Sequence, residues 1–207
     1  PFSWQELQTH YGEIDERRLL EERMIFGSYP EIVTHPGDRQ ARLQQLADSY
    51  LYKDILTWEQ IKKPDRLERL LQAIALQLGQ QVSYNELARL TGLDHSTVER
   101  YVLLLEKSFI IYRLSTFSRN LRSELKKSRK IYFYDNGIRN AIINNFNPLT
   151  LRNDVGALWE NYLISERMKS RSHANIKANH YFWRTHAQQE IDYLEEYDGQ
   201  LRAWEFK

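Results

Sequence analysis

The chain of 207 residues, 42% hydrophobic and 28% charged, is long enough for two or three small domains and has a soluble globular make-up. A net charge of only +1 excludes a global basic field, so contact with nucleic acid would need a local patch. The lack of cysteine excludes disulfides and thiolate zinc sites and fits a reducing, cytoplasmic setting, and no apolar run reaches the length of a membrane span.

Residues 1–62 read as helical, with turn signals at "HYGE", "GSYP" and "HPGD". One helix is predicted to end at Gly27, where a C-cap glycine is expected. Another starts near Asp38 and runs on through "DRQARLQQLADSYLYKDILTWEQI", with Leu43, Leu46, Tyr50 and Ile55 near one stripe. Pro64 marks a boundary.

From residue 65 to 115 the pattern is that of a helix-turn-helix. "RLERLLQAIALQL" is an apolar helix. "SYNELARLT" carries a capping-box pattern from Ser83 to Glu86, and Gly92 makes the turn. "DHSTVERYVLLLEKS" is the next helix, capped by Asp94. "FIIYRLS" and "KIYFYD" read as strands, and two strands after the third helix suggest a winged helix. Between them lies a basic run, with Arg119, Arg122, Lys126, Lys127, Arg129 and Lys130 opposed by Glu124. With His95, Ser96, Thr97, Arg100 and Tyr101 at the start of the third helix, these side chains could hold phosphates and reach a groove. A protein contact or a merely solvated face is the competing reading.

Residues 136–150 read as a helix and a loop, and residues 155–170 as an amphipathic helix with Leu158, Trp159, Tyr162 and Leu163 on its apolar face. "HYFWRTH" is a strand. His173, His180 and His186 show no metal-ligand spacing. In "QQEIDYLEEYDGQLRAWEFK", Asp198-Gly199 is the favoured pair for a two-residue type I′ turn. Tyr197 then pairs with Gln200, Leu194 with Ala203, and Asp192 faces Glu205, with Lys207 on the same side. Two opposed carboxylates call for a compensating cation, and carboxylate oxygens suit Mg2+ or Mn2+. A structural charge cluster is the alternative. Gln188, Gln189 and Glu190 are further polar groups beside it. No G-x-x-x-x-G-K-[ST] phosphate-binding loop occurs. The chain begins at Pro1 and stops within a predicted strand, so it reads as a piece of a longer protein.

The ordered set Glu160, Asp192, Glu205-x-Lys207 resembles the PD-(D/E)xK restriction-endonuclease-like superfamily. The wider series "PFSWQEL", "GSYPEIV", "YLYKDIL", "NELARLTGLDHSTVERYVLLLEKSFIIYRL", "SRNLRSELKKSRKIYFYDNGIRNAII", "DVGALWENYLISER" and "YFWRTHAQQEIDYLEEYDGQLRAWEFK" resembles the C-terminal part of predicted prokaryotic AAA-type ATPases that carry a domain of unknown function. The resemblance implies an α+β multi-domain chain. Residues 1–62 would be the helical tail of the ATPase module, 63–150 a winged helix, and 151–207 a truncated α/β restriction-endonuclease-like domain. It also implies that Glu160, Asp192 and Glu205 bind the metal, that Lys207 is the catalytic lysine, and that Arg100 and the basic run meet DNA. ATP would bind only in an upstream module, through which the protein would form oligomers. Two functions are expected: a metal-dependent nuclease arm, or a non-catalytic module that contacts DNA or a protein partner.

Overall fold

The computed structural model describes residues 1–49, 64–118, 129–185 and 189–206. The described residues form a mixed α+β fold of ten α-helices and one six-stranded sheet. None of these helices is long and apolar enough to cross a membrane.

The N-terminal third is helical: α1 (Trp4–Tyr11), α2 (Glu13–Arg18), α3 (Leu20–Phe26), α4 (Pro30–Thr34) and α5 (Arg39–Ser49). Ser3 and Glu6 start α1 with a reciprocal capping box, each taking the other's backbone N–H. As the sequence predicts, α3 ends at Gly27, whose φ of 72° lies in the region that favours glycine. The long helix expected from Asp38 is seen over Arg39–Ser49; its continuation, with Tyr50 and Ile55, lies outside the described residues.

The middle of the chain runs α6 (Pro64–Leu76), β1 (Gln81–Val82), α7 (Tyr84–Thr91), α8 (His95–Lys107), β2 (Ile111–Thr116) and β3 (Arg129–Phe133). Leu67, Leu70, Leu71 and Ile74 fall at helical spacing on α6 and are buried together. Asp94 caps α8 by accepting from the Thr97 N–H at 2.8 Å. The Ser96 and Thr97 hydroxyls and that amide hold its carboxyl far below the usual range. Two local expectations fail here. Ser83 makes no side-chain cap on α7, whose first residue, Tyr84, is anchored in the core. Tyr101, expected at the surface of α8, is 4% exposed because it falls on the inward stripe with Val98, Val102 and Leu105.

The last third holds α9 (Asn136–Ile142), α10 (Val155–His173), β4 (Asn179–Arg184), β5 (Glu190–Tyr197) and β6 (Gln200–Trp204). The sheet order is β1-β3-β2-β4-β5-β6. All neighbours are antiparallel except β2 and β4, which pair in parallel through Ser115 with Tyr181 and Thr116 with Phe182. One sheet therefore joins strands from both sides of the domain boundary expected near residue 150.

Helix α9 ties these parts together, touching α3, α5, α6, α10 and β3. Its cap, Asp135, accepts from Gly137 N and Ile138 N and, across the chain, from Ser28 N at 2.8 Å. The amide nitrogens of Asn136 and Asn140 donate to the carbonyls of Met24 and Ile25, and Arg139 donates to Ala75. The polar letters of "DNGIRNAI" thus satisfy backbone groups that would otherwise be buried without partners. Further along, Arg167 and Arg171 of α10 both donate to the buried carboxylate of Glu195 on β5.

Candidate functional site

A cluster of charge sits where α10 crosses the sheet. Lys130 and Tyr132 stand two apart on β3 and so share a face. Both donate to the same carboxylate oxygen of Glu160 on α10, Lys130 Nζ at 3.0 Å. Lys130 Nζ also lies 2.5 Å from Glu190 Oε1 at the start of β5. Arg184 of β4 stands 3.7 Å from the other Glu190 oxygen. The lysine is 3% exposed, with its ammonium 5.6 Å from the centre of the Phe182 ring. Gly79 closes the outer side: a Cβ there would come within 3.3 Å of Glu160 Oε2.

Asp192 joins this cluster through an irregularity. Tyr181 pairs with Leu194 and Trp183 with Ile191, so Phe182 alone opposes both Asp192 and Tyr193. That two-against-one count is a β-bulge, which breaks strict alternation and re-aims a side chain. The Asp192 carboxylate accepts from Phe206 N at 2.7 Å, and its charge acts on both Glu160 and Tyr132.

The electrostatics follow from the burial. Desolvation pushes the Glu160 carboxyl up, helped by the Asp192 charge and opposed by Lys130 and Tyr132; the net shift is upward. Burial works against the Lys130 ammonium, but Glu160 and Glu190 outweigh it and hold its pKa above the ordinary lysine value. Burial and Glu160 raise the Tyr132 phenol. Lys130 is thus a fixed internal cation shared by two acids.

Of the residues expected to hold a metal, Glu160 and Asp192 come together. Glu205 lies past the end of β6 and is exposed, and Lys207 lies outside the described residues. The hairpin register is the one read from the sequence: Tyr197 pairs with Gln200 and Leu194 with Ala203, and Asp198 and Gly199 have φ of 52° and 70°. The ladder ends at Tyr193 with Trp204, and Asp192 accepts from the amide of Phe206 at 2.7 Å. Among the described residues no three acids or histidines converge so as to hold a metal ion. As arranged, Glu160 and Glu190 answer to the Lys130 ammonium.

Of the residues expected to meet DNA, Arg100 is exposed on α8 and Arg129 lies half-buried over the Tyr84 ring at 4.7 Å. Lys130 is corrected: it points into the protein because its strand alternation carries it toward Glu160 and Glu190. Arg119, Arg122, Lys126 and Lys127 lie outside the described residues. Sequence reasoning placed Glu190 beside the site but missed Lys130 and Tyr132 as members. Their one signal was a lysine spaced by two from a tyrosine in the strand "RKIYF".

The fold and this cluster define a mixed α+β protein with an acid–lysine centre under one long helix. The chain belongs to the family described as a domain of unknown function, DUF8612, which matches residues 17–149. A second domain of unknown function, DUF4143, matches residues 155–207. Uncharacterized proteins of Mycobacterium bovis and Mycobacterium tuberculosis are each 28% identical over 131 residues, 62% of this chain and 29% of theirs. An uncharacterized protein of Haemophilus influenzae is 24% identical over 155 residues, 69% of this chain and 38% of its own. The chain therefore spans about a third of the length of the curated relatives it matches. No solved structure matches it.

Proposed function

We propose that this chain is a DNA-contacting part of a larger ATP-driven protein, in which a restriction-endonuclease-like unit serves as scaffold and does not cut. The observation that carries this is the placement of Lys130 Nζ between Glu160 and Glu190, which commits these two acids to an internal ion pair. An ammonium there competes with any metal ion for the same oxygens.

Two features support the architecture. The run α6–β1–α7–α8–β2–β3, with β1 and β2 flanking β3, is the order expected of a winged helix. The run α10–β4–β5–β6, with the Asp192 charge acting on Glu160, is the order expected of a restriction-endonuclease-like core. Under this reading Arg100 of α8, Arg129 and the basic residues Arg119, Arg122, Lys126 and Lys127 of the sequence hold the phosphate backbone, and energy comes from an ATPase module elsewhere in the protein. A nuclease is the second reading, favoured by the charge of Asp192 acting on Glu160.

The test is binding and cleavage of labelled duplex by the full-length protein, with Mg2+ or Mn2+ and across a salt series. Binding that weakens steeply with salt, without cleavage, is expected. Metal-dependent cleavage that Asp192→Asn and Glu160→Gln abolish would overturn the proposal.

A further inference from the structure

A second region owes nothing to the acid–lysine centre. Glu160 and Arg171 are both on α10, and at helical rise they lie roughly 16 Å apart. Near Arg171, between the last turn of α10, the approach to β4 and the end of α8, is a cleft of about 630 Å3. That is within the range of small-molecule sites.

Its walls combine aromatic rings with basic side chains. Phe109 and Tyr134 form one wall, their rings edge-to-face at 5.7 Å. Lys169, Arg171, His173, Lys177 and His180 supply nitrogen, Lys169 being paired with Glu166, and among the described residues no acid lines the cleft. Arg171 is committed to Glu195, and His173 stands 3.8 Å from Glu6. Lys177 makes no ion pair among the described residues. Arg171 and His173 also offset the dipole at the end of α10, but Lys177 lies beyond the helix and has no such task.

Phe109 is the residue that local structure does not explain. It follows α8 at φ 56°, with Phe109 N donating to Glu106 O and Ile110 N to Leu105 O. This is the closing position of a helix, where glycine is the least strained choice. A phenyl ring stands there instead, 69% exposed at the mouth of the cleft. A non-glycine residue on this strained backbone costs stability, which points to a role outside folding.

We propose that the cleft binds a nucleotide unit, with its base against Phe109 and Tyr134 and its phosphate near Lys177 and His173. The shared chemistry is a planar heteroaromatic ring with an anionic group on one side, met by a ring wall and cations. Its source is either a free mononucleotide or the unpaired end of a nucleic-acid strand. The inference does not require α8 to meet DNA.

The experiment is a calorimetric titration of the full-length protein with AMP, with a 5′-phosphorylated thymidine trinucleotide, and with inorganic phosphate. Saturable binding of AMP or the trinucleotide is expected, weakened about tenfold by Phe109→Gly and by Lys177→Gln. Phe109→Gly suits the φ of that position, so the variant should fold and its thermal midpoint should not fall. Equal affinity for AMP and the trinucleotide assigns a free ligand; binding of the trinucleotide alone assigns a strand end. No saturable binding of either ligand, or affinity unmoved by Phe109→Gly, would overturn the proposal. So would binding of phosphate alone as tight as that of AMP.

Discussion

The side chain of Asn161 on α10 brackets the peptide of Phe133 on β3. Its Oδ1 accepts the Phe133 N–H at 2.7 Å, and its Nδ2 donates to the Phe133 carbonyl at 3.0 Å. The reason is a short neighbour. β1 covers β3 only at Arg129 and Lys130, so the outer edge of β3 would be bare at Phe133. One asparagine does there what another strand would do.

Asn161→Ala should therefore destabilise the protein by about 2–5 kcal/mol, since two buried backbone groups lose their partners. Urea denaturation measures this. A loss below about half a kcal/mol would show that water replaces the side chain without cost.

Lys130→Met should cost about 3–5 kcal/mol, because it removes the cation between the half-buried carboxylates of Glu160 and Glu190. The triple variant Lys130→Met, Glu160→Gln, Glu190→Gln should recover most of that loss. Thermal midpoints of the two variants check it, and failure of the triple variant to recover would mean that the lysine acts through packing and not through charge.

Gly27 and Gly12 make a controlled pair. Both have positive φ, 72° and 90°. A Cβ on Gly27 would lie 1.9 Å from Asp135 Oδ1, while one on Gly12 meets nothing within 4 Å. Gly12→Ala should cost only backbone strain, about 1 kcal/mol. Gly27→Ala should cost about 3 kcal/mol or more, since Asp135 must release the amides of Ser28, Gly137 and Ile138. Equal losses in denaturation would show that Asp135 moves freely.

Burial would raise the Asp154 carboxyl, but hydrogen bonds from Arg152 and Arg139 lower it to about 2. A carboxyl lowered in the folded state adds stability that is present above its ordinary pKa near 4 and is lost as pH falls through about 2. Asp154→Asn should therefore lose about 2 kcal/mol at neutral pH, with allowance for partial solvent screening, and should flatten the stability curve between pH of about 4 and 2. Denaturation at several pH values measures both. A parallel downward shift at every pH would exclude the ionic origin.

Much of the architecture was legible. Asp198-Gly199 set the hairpin register, Gly27 and Gly92 marked helix ends, and Asp94 marked a cap, because these depend on neighbours close in sequence. The bulge at Asp192 and Tyr193 was hidden, since a strict period of two leaves no place for an extra residue. Lys130 read as one of six basic side chains because its partners, Glu160 and Glu190, come from remote elements. Asn136, Arg139 and Asn140 read as ordinary helix polarity for the same reason. The Ser83–Glu86 pattern failed as a box because Tyr84 fixes the start of α7 by burial, which no spacing reveals.

The β2–β4 joint has a kinetic consequence. It is the sheet's one parallel pairing, yet it rests on two matched positions, with Phe117 N adding a bond to the Phe182 carbonyl at 2.7 Å. Its two ends are separated in the chain by β3, α9 and α10, whereas every other pairing in the sheet except β1–β3 joins consecutive strands. Contacts between distant segments form slowly, since loop closure precedes the reward. The seam between β2 and β4 is thus expected to zip last, and amides along it should be the final ones to gain protection when refolding is followed by pulsed hydrogen exchange.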